Sequence, residues 1–215
     1  MFDAGRSIIH RLRRSLPIMT FLLGCLFPIR PLVAGDLLAL GVTDEDGVYR
    51  IDVEMIVHAP AEEVWYVLTD YTHIYRLNAS ITESEVLPSP DENTVRVRTL
   101  VNDCVFVYCF DIERVEDVHM TGTGKLHAIA VSDLSNIESG TATWHIRPAG
   151  ADSRVSYRGT IKPGFVVLPV IGNYIVRNRL RDMTLLTLEN IERISRIKAG
   201  LDANTESALV ISTTP

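Results

Sequence analysis

The sequence predicts an α+β fold in which a curved antiparallel β-sheet wraps around one long C-terminal α-helix. Three observations carry that prediction. Ile51, Val53, Met55 and Val57 alternate with polar positions, the period of a half-buried strand, and the run then passes into a short helix. Between Ile81 and Lys162 a series of strand-like segments is separated by short polar turns, the pattern of an antiparallel meander. From Pro169 to Lys198, apolar residues recur at steps of three and four, which gives a helix one sticky face.

Residues 1–35 stand apart from the fold. Arg6, Arg11, Arg13 and Arg14 form a basic stretch, followed by an apolar run from Leu16 to Phe27 and small residues at Ala34-Gly35. This is the make-up of a secretory signal peptide cleaved after Ala34 or Gly35. The run is too short, and too broken by Pro17 and Pro28, for a spanning helix of about 20 residues. Leu22-Leu23-Gly24-Cys25 also offers a lipoprotein cleavage box, which would tether the protein to a membrane through Cys25, and an uncleaved anchor is the third option. All three place the folded part outside the cytoplasm, in the periplasm or secreted. Without this segment the chain keeps 16 basic and 26 acidic residues, a net charge of −10 against −6 for the whole. So acidic a domain repels phosphate backbones, which argues against nucleic acid as a partner.

The remaining residues suit one domain, 36–198, with a sizeable core. Its first predicted strand begins at Tyr49. Pro60 then suits the first turn of a helix, where a missing N–H costs nothing, and Glu62 and Glu63 complement the positive helix start. Thr72 to Ala79 reads as a second short helix or turn. The strands that follow are Ile81–Leu87, Thr94–Val101, Cys104–Val115, Met120–Ala130, Ser139–Pro148 and Arg154–Lys162. Pro88 to Asn93 is a dense turn cluster, and Asn102-Asp103 is the expected hairpin between the second and third of these strands.

Cys104 and Cys109 pull in two directions. An oxidising compartment favours pairing, but five residues of straight strand span about 16 Å, against the roughly 4 Å between Cβ atoms that a disulfide needs. The two would also face opposite sides of the sheet, and Val105-Phe106-Val107-Tyr108 is a poor turn sequence, so free thiols are the preferred reading.

The long helix carries Val176, Leu180, Met183, Thr184, Leu188, Ile191 and Ile194 on one stripe, whose partner must be the sheet. Ahead of it, Gly164-Phe165-Val166-Val167-Leu168-Pro169-Val170-Ile171-Gly172 holds six large apolar residues between glycines. It reads either as a buried plug or as a lid, Phe165 to Ile171, that touches a membrane while ligand passes. Ala199 to Pro215 loses periodicity and reads as a frayed tail.

Several of these segments together resemble one superfamily. They are His58-Ala59-Pro60-Ala61-Glu62-Glu63-Val64-Trp65 followed by Thr69-Asp70-Tyr71, then Ser132-Asp133, Gly140 to Trp144, Ser153-Arg154-Val155-Ser156-Tyr157, and Pro163-Gly164 through Pro169 to Gly172. In this order and spacing they resemble the START-like (SRPBCC) ligand-binding proteins, specifically the polyketide-cyclase and coenzyme Q-binding branch. The resemblance implies the helix-grip fold, with two short helices after the first strand and an apolar cavity between sheet and C-terminal helix. It transfers no catalytic residue, because such folds host carriers, sensors and enzymes alike.

The chain's own residues agree with a binding role. The histidines are scattered, without His-x-x-x-His or Cys-x-x-Cys spacing, so no metal is expected. No phosphate-binding glycine loop or Gly-x-Ser-x-Gly elbow occurs, and no cofactor or catalytic residue is assigned. Trp65 and Trp144 are candidates to line a pocket, as are Tyr157 and Tyr174, whose phenols need polar partners when buried. Phe165 joins them from the lid segment, and Arg177 from the helix as a contact for a polar head group. The expected function is non-catalytic binding of a hydrophobic small molecule of lipid or isoprenoid-quinone type. A cyclase or aromatase using acid–base residues in the same cavity is the alternative.

Overall fold

The computed structural model describes residues 35–105, 108–165, 167 and 171–202. The chain divides into two units, Met1–Leu32 and Val33–Pro215. The first unit, with its signal-peptide and Cys25 readings, lies outside the described residues, as do residues 203–215 of the tail.

Eight antiparallel strands form one sheet: β1 (Asp36–Glu45), β2 (Val48–Val57), β3 (Ile81–Leu87), β4 (Thr94–Val105), β5 (Tyr108–Met120), β6 (Lys125–Ala130), β7 (Ile137–Ala149) and β8 (Asp152–Pro163). Their spatial order is β1-β2-β8-β7-β6-β5-β4-β3. Helix α1 (Ala61–Thr69) and a 3₁₀ segment (Tyr71–Leu77) carry the chain from β2, beside one edge, to β3 at the other. Helix α2 (Ile171–Lys198) follows β8 and lies against the inner face of the sheet. This is the predicted α+β helix-grip arrangement.

Two differences from the sequence reading concern hairpins. The sheet starts one strand earlier than Tyr49, with β1 joined to β2 through Asp46-Gly47, which turn at φ 51° and 78°. Positive φ at both central residues suits a two-residue Asp-Gly turn, whose twist matches that of the flanking strands. The two short helices therefore follow the second strand. β1 escaped the pattern reading because it is an exposed edge strand, with little apolar alternation to reveal it.

The second difference corrects the cysteines. β4 does not end at Asn102-Asp103 but continues to Val105, and β5 begins at Tyr108; Phe106 and Val107, between them, lie outside the described residues. Cys104 and Cys109 are therefore direct cross-strand partners, 4.0 Å apart at Cα, and form a disulfide. The straight-strand geometry that argued for free thiols does not apply, because the chain reverses between them and antiparallel pairing brings opposed side chains together.

The core forms where the predicted stripe of α2 meets the predicted face of β2. Ile51, Val53, Met55 and Val57 are buried with Val155, Ile146, Leu188 and Ile191. Val64 and Leu68 of α1 close one side. Polar ties toward both ends help to fix α2. Arg179 donates two hydrogen bonds to the buried Asp103 of β4, at 2.5 and 2.6 Å. Near the other end, Glu192 accepts the His58 backbone N–H at 2.9 Å.

Candidate functional site

The sheet's inner face leaves space under α2 because one of its rows is nearly without side chains. Register aligns Gly159 of β8, Ala142 of β7, Ala128 of β6 and Val118 of β5 as successive neighbours. The flanking row, Tyr157, Trp144 and Leu126, is bulky. Between the small row and the helix lies a cavity of about 230 Å³. The sheet contributes Val97, Val101, Val118, Leu126, Ala128, Ala142, Trp144 and Tyr157 to its wall. Leu68 ends α1 against it, while Tyr71, Ile74 and Leu77 of the 3₁₀ segment close the side. Leu180, Met183, Thr184, Thr187 and Leu188 of α2 form the roof.

A glycine sets the posture of Tyr157. Its phenol lies over Gly159, two residues along the same strand, so close that a Cβ there would collide with the phenolic oxygen. Trp144 packs on the ring, with centroids 4.3 Å apart. Burial pushes the Tyr157 phenol up to about 12, so it stays protonated at physiological pH.

The polar part of the wall comes from β5 and the 3₁₀ segment. Arg114 and Glu116, two residues apart and on one face of β5, both line the cavity. Arg114 Nε stands 3.2 Å from Glu116 Oε2, which is ion-pair distance, yet its N–H is not directed at an acceptor among the described residues. The Tyr71 hydroxyl is likewise buried without a partner there, and burial raises its pKa. Asn78 is already committed: it donates to the Met183 carbonyl at 3.0 Å and to Thr187 Oγ1 at 3.1 Å, and accepts from the Ser80 N–H at 3.0 Å.

Of the residues singled out from the sequence, Trp144 and Tyr157 lie on the cavity wall. Trp65 of α1 packs against the core and is not among the residues that line the cavity. Phe165 is 43% exposed and stacks on Phe110 of β5, with centroids 5.8 Å apart. Tyr174 is 60% exposed on α2 and does not line the cavity. Arg177 pairs with Asp44 of β1 at 3.3 Å, also away from the lining. Of the lid segment, Val166 and Leu168 to Val170 lie outside the described residues.

The residues the sequence reading missed are Arg114, Glu116 and Tyr71. β5 carries a buried valine on each parity, Val115 and Val118. Alternation alone therefore could not tell which face of Glu113-Arg114-Val115-Glu116 turned inward. Among the described residues no group of histidine, cysteine and carboxylate side chains is placed to hold a metal ion.

Residues 49–189 match the family described as polyketide cyclase / dehydrase and lipid transport. The chain belongs to this family. A comparison with curated proteins finds no match. Solved structures of the START superfamily share its fold. The Zhui aromatase/cyclase from Streptomyces sp. R1128 superposes with a TM-score of 0.54 at 15% identity, over 71% of this chain and 98% of that one. A STAR-related lipid transfer protein from Xanthomonas axonopodis gives 0.55 at 16% identity, over 73% and 98%. Human STARD10 gives 0.53 at 12% identity, over 82% of each chain. At such identities the likeness is one of fold. In this polyketide cyclase-like chain the cavity lies between the sheet and the C-terminal helix.

Proposed function

We propose that this protein is an exported carrier that holds a hydrophobic small molecule, of lipid or isoprenoid-quinone type, in the cavity under α2. The observation that carries this reading is the cavity itself, about 230 Å³ with a mostly apolar lining. Burying a ligand there removes apolar surface from water at about 25 cal/mol per Å², and a few polar groups fix its orientation. The volume lies below the roughly 300–1,000 Å³ of sites that enclose a drug-sized ligand. One ring or one chain segment fits inside, and the remainder of a long lipid extends through the mouth.

Lipid transport in the family's description, and the name of the Xanthomonas lipid transfer protein, support the carrier reading. Aromatase/cyclase relatives and the convergence of Arg114, Glu116, Tyr71 and Tyr157 on one cavity favour the alternative, a cyclase-type enzyme. Proton transfer at neutral pH needs a group with a pKa near the operating pH. Arginine is always protonated and the Tyr157 phenol titrates at about 12, so neither serves as a base there. Among the described residues no histidine, lysine or aspartate lines the cavity, and the one carboxylate on its wall, Glu116, is held at ion-pair distance by Arg114. Binding is therefore the stronger reading.

Export is supported by the basic and apolar leader and by the Cys104–Cys109 disulfide, a bond that persists in oxidising compartments. Intact mass of the mature protein should show the loss of about 34 or 35 residues; an unprocessed cytosolic chain sinks this part of the proposal, and an acylated Cys25 replaces it with the lipoprotein form. Native mass spectrometry of protein taken from its own host should reveal a retained apolar ligand. Ala142→Leu, which fills the floor of the cavity, should lose it while staying folded. A wild-type protein with no bound ligand and no uptake of added lipid overturns the carrier reading.

A further inference from the structure

Resting on that reading, a sharper statement about the ligand follows from the charge inside the cavity. Arg114 and Glu116 carry the only charges on its wall among the described residues, and they stand side by side. The pair is balanced, so the cavity offers an incoming ligand no net charge. What it offers instead is hydrogen bonding of both kinds. Among the described residues Arg114 Nε and the Tyr71 hydroxyl are donors without acceptors, and the Glu116 carboxylate is an acceptor. Tyr157, its phenol protonated, stands on the same wall.

A carboxylate entering this site would have to share Arg114 with Glu116 at close range, in surroundings where like charges repel more strongly than in water. A hydroxyl can accept from Arg114 or Tyr71 and donate to Glu116, which satisfies buried groups on both sides at no cost in charge. We propose that the cavity selects uncharged, hydroxyl-bearing apolar molecules and rejects carboxylates, and that Glu116 is the residue that decides between them. This is discrimination through a built-in repulsive element as much as through attraction.

The test is a matched series with one chain length and three ends: 1-decanol, decanoate and decane, titrated calorimetrically into the purified protein at about pH 8, where decanoate is ionised. Wild type should bind decanol about tenfold or more tighter than decanoate, since like charges brought side by side repel. Glu116→Gln keeps the shape and removes the competing charge, leaving Arg114 as an unpaired cation. It should lower the alcohol-to-acid affinity ratio by about tenfold or reverse the preference. Arg114→Gln leaves Glu116 alone and should raise the ratio, so the inference stays testable if Glu116→Gln does not fold.

Decanoate binding wild type as tightly as decanol overturns the inference. So does a ratio unchanged in Glu116→Gln, or unchanged or lowered in Arg114→Gln. In those cases, with decanol still bound, the carrier reading stands. Failure of wild type to take up decanol, decanoate and decane alike removes both.

Discussion

Glu192 shows how a single buried charge is held in this protein. It is 5% exposed on α2, accepts the His58 backbone N–H, and lies near His58 Nδ1 at 3.3 Å and Arg196 at 3.9 Å. Burial nevertheless dominates these contacts and raises its pKa. A carboxyl raised on folding binds its proton more tightly in the native state. Its contribution is fully present below the ordinary value and is lost as pH rises through the folded value. The stability of Glu192→Gln relative to wild type should therefore improve as pH is raised from about 4 to about 7, measured as denaturation midpoints; a change in the opposite direction refutes it. Glu192→Ala leaves the His58 N–H unpaired and should cost about 1–3 kcal/mol. A second residue-scale prediction concerns Gly159, whose hydrogen makes room for the Tyr157 phenol. Gly159→Ala should cost about 1–3 kcal/mol through overpacking. In a Tyr157→Ala background most of that cost should vanish, and additive effects in the double-mutant cycle would dissociate the two residues.

At the scale of elements, α2 is held by its apolar stripe and by ties at both ends. Leu188 is 3% exposed in the middle of the stripe, whereas its neighbour Glu189 faces solvent. Leu188→Ala should cost about 2–5 kcal/mol in a denaturant series, and Glu189→Ala under about 0.5 kcal/mol. Equal costs would mean that the helix presents a different face. The β4–β5 hairpin meets α2 through Asp103 and Arg179, and meets the segment before α2 through Phe110 and Phe165. Asp103 and Phe110 face each other across the hairpin, and the Cys104–Cys109 disulfide forms the next rung beside them. It closes a loop of about six residues, for which chain entropy predicts up to about 2 kcal/mol of stabilisation. Replacing both cysteines by serine should produce a loss of that order, with faster amide exchange concentrated at the end of β4 and the start of β5. Exchange that rises evenly over the sheet would show that the bond acts on the whole fold instead.

For the whole molecule, the open question is how a ligand reaches the cavity. Phe165 is exposed just before α2, and Val167 is half-buried beside it. Under the lid reading, Phe165→Ser and Val167→Ser should slow lipid transfer between vesicles and leave the melting temperature almost unchanged, because the apolar surface they remove works at a membrane. Under the plug reading the lost packing and the buried hydroxyl lower the melting temperature while transfer stays normal. Measuring both quantities on the same variants separates the two.

Most of the architecture could be read from residue order, because period-2 alternation in Tyr49–Val57 and the three-and-four stripe of α2 are local patterns with one good partner each. The family resemblance was equally legible, since its landmarks are contiguous. Tertiary structure decided the rest. It placed the chain reversal beyond Val105, which turned Cys104 and Cys109 from residues on one strand into partners across two. It left Tyr174 and Arg177 outside the cavity and brought Arg114, Glu116 and Tyr71 into it. A strand's sequence states that its two faces differ; which face looks inward depends on register and curvature, and these are set by strands distant in sequence. Arg114 and Glu116 reach the cavity wall only because Val97 and Thr99 stand beside them and α2 closes above.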